Sequence, residues 1–156
     1  MVTGSAGGGR VDVAQVEVAI RAAEQRTSGQ VRVGLSRFYV RGDVLRAAER
    51  VFTHLQMHRT RERNGVLIFV APWRRRFAIV GDAGIHERVD SACWNEIADV
   101  LRPSFQAGDL TGGLERGIAR IGELLAEHFP AARHAEAKPA LARRVVTTSP
   151  PDGGST

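Results

Sequence analysis

The chain has 156 residues, enough for one domain but not two, and its 43% hydrophobic content suffices for a buried core. Twenty-two basic against seventeen acidic residues give a formal charge of +5 and a pI near 10.8, but Val11 to Pro130 holds 17 basic and 15 acidic residues, so most of the excess lies at the ends and nucleic acid is a disfavoured partner. The single cysteine, Cys93, excludes an intrachain disulfide, and no apolar run approaches the roughly 20 residues needed to cross a bilayer; the expectation is a cytoplasmic protein without a signal peptide or membrane span.

Residues 1 to 10 are Gly-rich and without period, and are expected to be a disordered N-terminus. Asp12 is placed to cap a first helix, with Gln15 at the capping-box position and Val13, Val16, Ile20 and Ala23 on one stripe. From Gln30 to Ser36, Val31, Val33 and Leu35 alternate with Arg32, Gly34 and Ser36, which predicts a strand with one buried face. Asp43 opens a second helix carrying Leu45, Ala48, Phe52 and Leu55, and a polar loop follows from His58 to Asn64. Val66 to Val70 is apolar at every position, the pattern of a central strand covered on both faces. Arg76 to Val80 is a third strand, joined to it by a link short enough for a hairpin.

Asp90 caps a helix bearing Trp94, Ile97, Leu101 and Phe105, in which Pro103 is expected to introduce a bend. Asp109 caps the last helix, with Leu114, Ile118, Ile121 and Leu125, and Pro130 stops it. Residues 131 to 156 are expected to be a disordered tail, although their LARRVV patch could dock. The predicted order α-β-α-β-β-α-α defines an α/β domain over 11 to 130, a small mixed sheet with helices on both faces.

Three separated motifs carry a family resemblance. They are Met57-His58-Arg59-Thr60-Arg61-Glu62-Arg63-Asn64-Gly65-Val66-Leu67-Ile68, then Phe77-Ala78-Ile79-Val80-Gly81-Asp82-Ala83-Gly84-Ile85-His86, and Phe105-Gln106-Ala107-Gly108-Asp109-Leu110 followed by Gly113 and Gly117. In order and spacing they resemble the TPM domain family over about Val11 to Pro130. The resemblance implies a sheet-and-helix domain, sometimes binding a divalent ion and sometimes hydrolysing phosphoesters. Exported relatives read Gly-Tyr-Gly-Leu-Glu-Gly after the third strand, whereas here Gly81-Asp82-Ala83-Gly84-Ile85-His86 replaces the Tyr, the Leu and the second Gly.

A hairpin turning at Pro72-Trp73 or slightly later sets Asn64 opposite Gly81 or Asp82. His58, Arg61, Glu62, Arg63 and Asn64 would then meet Asp82, His86 and Glu87. Two imidazoles with carboxylates suit zinc or manganese, while the carboxylates and Asn64 suit calcium or magnesium. The metal-ligand set is therefore His58, Glu62, Asn64, Asp82, His86 and Glu87, with Asp82, Arg61 and Arg63 as catalytic candidates in phosphoester hydrolysis. The plainer reading is preferred, with ordinary loop histidines and with Asn64 and Asp82 shaping the turns beside Gly65 and Gly84.

Arg74 to Arg76 beside Trp73 read more simply as a solvated turn than as a phosphate site. Cys93 reads as a structural thiol. Two functions follow as expectations. The first is an accessory or interaction domain, with an unknown protein partner, acting with envelope or membrane-maintenance proteins. The alternative is a divalent-ion-dependent phosphatase.

Overall fold

The computed structural model describes residues 1–5, 10–131 and 144–148. Its sheet has the order β1-β4-β3-β2-β5, from β1 (Val2–Ser5), β2 (Gln30–Ser36), β3 (Gly65–Ala71), β4 (Arg76–Gly81) and β5 (Val145–Thr148). β3 pairs antiparallel with β4 and parallel with β2, while β1 adds antiparallel to β4 and β5 parallel to β2. The helices are α1 (Val13–Gln25), α2 (Val44–His54), α3 (Ala83–His86), α4 (Ser91–Gln106) and α5 (Leu110–His128).

Four of the helix starts follow from local chemistry. The carboxylates of Asp12, Asp43, Asp90 and Asp109 accept from the backbone N–H of Gln15, Leu45, Ala92 and Gly112, satisfying amides that have no partner within the helix. α4 runs unbroken through Pro103, with the ring in the last turn. α5 packs closely on it, since a Cβ on Gly117 would lie 2.4 Å from the Leu101 side chain.

The sheet is covered on both faces. α1, α4 and α5 pack their apolar stripes over Val31, Val33, Val66, Ile68, Val70, Phe77 and Ile79. α2 covers the other face, where Leu67, Phe69, Ala71, Ala78 and Val80 meet Ala47, Ala48 and Phe52. Every residue of β3 is buried, as its uninterrupted apolar run predicts. Truncating Ile68 to Ala in such a setting costs about 2–5 kcal/mol through the cavity it leaves.

Two expectations are corrected. The termini are not without structure, because 2–5 and 145–148 form strands, each filling an edge that β4 and β2 would otherwise leave unpaired. The remaining terminal positions expected to be disordered, 6–9, 132–143 and 149–156, lie outside the described residues. β2 is also buried on both faces, not one, and Arg32, 3% exposed, is held there by a carboxylate from α1.

That carboxylate is Glu24. It accepts from the Val31 backbone N–H at 3.1 Å and from Arg32 Nη1, and lies 3.5 Å from Arg144 Nε. β5 pairs with β2 only from Val33 onward, so Glu24 supplies an acceptor along the part of the β2 edge that β5 does not reach. One side chain therefore joins α1, β2 and the residue preceding β5.

Candidate functional site

The site expected from the hairpin lies where β3 begins and β4 ends. The turn contains Pro72–Arg74 in 3-10 form and Arg75 in the left-handed region (φ 52°), which shifts the register by a residue. Val66 pairs with Gly81, and the Asp82 N–H donates to Gly65 O at 3.0 Å, so Gly65 rather than Asn64 faces Asp82. The two loops do meet, as the antiparallel direction requires.

On the β3 side, Thr60 organises the turn. Its carbonyl accepts from the Arg63 N–H at 3.2 Å and its Oγ1 from the Asn64 N–H at 3.1 Å. Arg63 itself has φ 53°, a conformation that costs an L side chain about 1 kcal/mol or more. The distortion aims its guanidinium at Asp82, with Nε to Oδ2 at 2.8 Å and Nη2 to Oδ1 at 3.0 Å, a two-pronged fit of planar fork to carboxylate.

On the β4 side, Asp82 also caps α3, accepting from the Ala83 N–H at 2.8 Å. Burial pushes the Asp82 carboxyl up, but the Arg63 hydrogen bonds, the Ala83 amide and the charges of Arg63 and His58 outweigh it and hold the group below the usual carboxylate range. Gly84 brings α3 hard against the loop: a Cβ there would sit 2.1 Å from Glu62 O and 2.7 Å from Arg63 O. Only glycine permits that approach.

A third segment, the turn from α1 into β2, joins from elsewhere in the chain. Ser28 Oγ donates to Glu62 Oε2, and Asn64 Nδ2 donates to both Ser28 Oγ (3.1 Å) and Glu62 Oε2 (3.3 Å). Asn64 is buried, so these bonds satisfy an amide that water does not reach. Ser28 was not among the residues singled out from sequence, and nothing local marks it. Only the parallel register of β2 on β3 brings it there, pairing Gln30 with Gly65.

The remaining candidates are spread around this core. His58 is half-buried and near enough to Asp82 to act on its charge. His86 is exposed at the end of α3, its ring 5.9 Å from that of Trp94. Arg61 and Glu87 are exposed, and Glu87 contributes a backbone N–H to the close of α3. Among the described residues, no three His, Cys, Asp or Glu side chains come together to hold a metal ion. As arranged, Asp82 is engaged by Arg63 and the Ala83 amide, and Glu62 by Ser28 and Asn64.

Comparison with known proteins agrees with this architecture. The structure is similar to the BA42 protein of the psychrophilic bacterium Bizionia argentinensis, with a TM-score of 0.76 and 35% identity over 86% of this chain and 90% of that one. It shares its fold with the N-terminal domain of a P. gingivalis protein, with a TM-score of 0.59 and 19% identity over 80% of this chain and 83% of the other. The same holds for the N-terminal domain of the cg2496 protein of Corynebacterium glutamicum, with a TM-score of 0.56 and 13% identity over 80% and 78%. No curated protein matches the chain. The TPM domain matches residues 10–124, nearly the whole span from α1 to the last turns of α5. The chain therefore belongs to the TPM domain family.

Proposed function

We propose that the chain is a non-catalytic accessory or interaction domain, acting in the cytoplasm with envelope or membrane-maintenance proteins. The observation that carries this reading is the engagement of Asp82. A carboxylate that activates water or holds a metal must present a free oxygen lone pair toward the reacting centre. Here both oxygens face the Arg63 fork, and one also caps α3. Glu62 and Asn64 are likewise turned toward each other and Ser28, so the two loops bond to one another and to the turn before β2.

The second reading, a divalent-ion-dependent phosphatase, draws on one observation. The Arg63 side chain is 51% exposed, so it could swing off Asp82 and leave the carboxylate beside His58. Metal analysis of the purified chain, alongside a phosphoester screen with p-nitrophenyl phosphate, separates the two. The non-catalytic reading expects no stoichiometric calcium, magnesium, manganese or zinc and no turnover above that of Asp82→Asn. A bound ion and a phosphatase activity that both vanish in Asp82→Asn would overturn it.

A further inference from the structure

The far end of the sheet differs from the Asp82 end. β2 and β3 run parallel with Leu35 beside Val70, so the loop after β2 and the turn after β3 leave the sheet side by side. Arg74 ties them together. Its Nη1 donates to the carbonyls of Val40 (2.6 Å) and Gly42 (2.9 Å), and its guanidinium carbon lies 5.3 Å from the centre of the Tyr39 ring.

Around this tie stand Phe38, Tyr39 and Trp73, which are 53%, 60% and 70% exposed. They are all of the exposed Phe, Tyr and Trp side chains among the described residues. Arg37, Arg75 and Arg76 are exposed in the same two segments, and residues 37–42 and 72–76 contain no carboxylate. The next acid along the chain, Asp43, is engaged as the cap of α2.

Amphipathic aromatic rings favour the boundary between water and lipid, where the apolar body is buried and the polar tip stays wet. Basic side chains beside them are drawn to a negative lipid surface. The aromatics lie in the connecting segments at this end of the sheet, Trp73 within a three-residue turn, and more than half of each is exposed to solvent. That exposure suits a soft planar interface, whereas a specific acidic peptide requires a groove that holds it. Arg74 fixes both loops in advance, which lowers the entropy lost on docking.

We propose that this end of the domain docks peripherally on an anionic lipid surface, with Phe38, Tyr39 and Trp73 at headgroup level and Arg37, Arg75 and Arg76 against lipid phosphates. The inference goes beyond the reading of the Asp82 loops and is independent of it.

The chain contains two tryptophans, Trp73 in the turn and Trp94 in the core at 2% exposure, so a change in emission on docking reports Trp73. The full chain is titrated with phosphatidylcholine vesicles, with and without phosphatidylglycerol, and separately with soluble polyglutamate. The expected result is a blue shift with the anionic vesicles only, weakened by added salt. Phe38→Ala should loosen vesicle binding without altering the fold, and Arg75→Ala with Arg76→Ala should loosen it by about tenfold or more. Trp73→Ala should abolish the emission change and reduce co-sedimentation with the anionic vesicles. No shift with either vesicle, an equal shift with neutral vesicles, or a response to polyglutamate without one to vesicles would overturn the proposal.

Discussion

Two acid–arginine pairs do different work in this fold. Glu24 and Arg32 are nearly sealed from water, with side chains 5% and 3% exposed, and they join α1 to β2. Asp82 and Arg63 share a buried carboxylate and a half-exposed guanidinium, and they join a loop to α3. In the first pair Arg32 Nε finds no hydrogen-bond acceptor, so the cluster is incompletely satisfied despite its depth. In the second, geometry is two-pronged and solvent can take over the arginine end. A buried pair is therefore committed to structure, whereas the half-exposed pair is the one that could be opened.

The largest effect should come from breaking the buried pair. Glu24→Ala leaves Arg32 without its carboxylate in the interior and should destabilise by about 3–5 kcal/mol, read from denaturant unfolding. The double variant Glu24→Leu, Arg32→Met removes both charges and should recover part of that loss, because an apolar pair carries no desolvation cost while the Val31 N–H and Arg144 still lose their acceptor. If the single and double variants lose equally, the ion pair is not what holds α1 to β2.

Gly84→Ala comes next. Its methyl group cannot be placed 2.1 Å from Glu62 O, so α3 and the 60–64 loop must part, at a cost of about 1–3 kcal/mol. A variant as stable as the parent would show that the loops are not pressed together.

Asp82→Asn should have the smallest effect at neutral pH, since the amide can still cap α3 and water screens Arg63. Its signature is in acid. The folded-state carboxyl of Asp82 is held below its ordinary value, so its contribution to stability is fully present above the unfolded value and is lost as pH falls through the lower, folded one. Unfolding curves against pH should show a shallower acid limb in Asp82→Asn than in the parent. Identical limbs would remove the Arg63 pairing from the account.

The two pairs also mark what could be read from the sequence. α1, α2, α4 and α5 were legible because an apolar period and an Asp cap lie within a few residues of each other, and the unbroken apolar run of β3 gave its double burial. β1 and β5 were not, since four-residue strands owe their order to the unpaired edges they complete, although the β-branched run Val145–Thr148 was a signal. α3 was missed because four residues are too few to show an apolar period, and Asp82 beside Gly84 reads as a turn. Of the candidate site, the meeting of the two loops was readable from chain direction. The insertion of Ser28 and the Arg63–Asp82 fork were not, as one depends on the β2–β3 register and the other on a left-handed residue that no local pattern marks.

At the Asp82 end, the side chains of the two loops are engaged with one another. Whether that leaves room for an ion can be read by titrating the isotope-labelled chain with manganese at neutral pH and following backbone amide signals, which a bound paramagnetic ion broadens at short range. No saturable broadening centred on Glu62, Asn64, Asp82 and Ala83 is expected. Saturable, site-specific loss of those four signals at low manganese would contradict it.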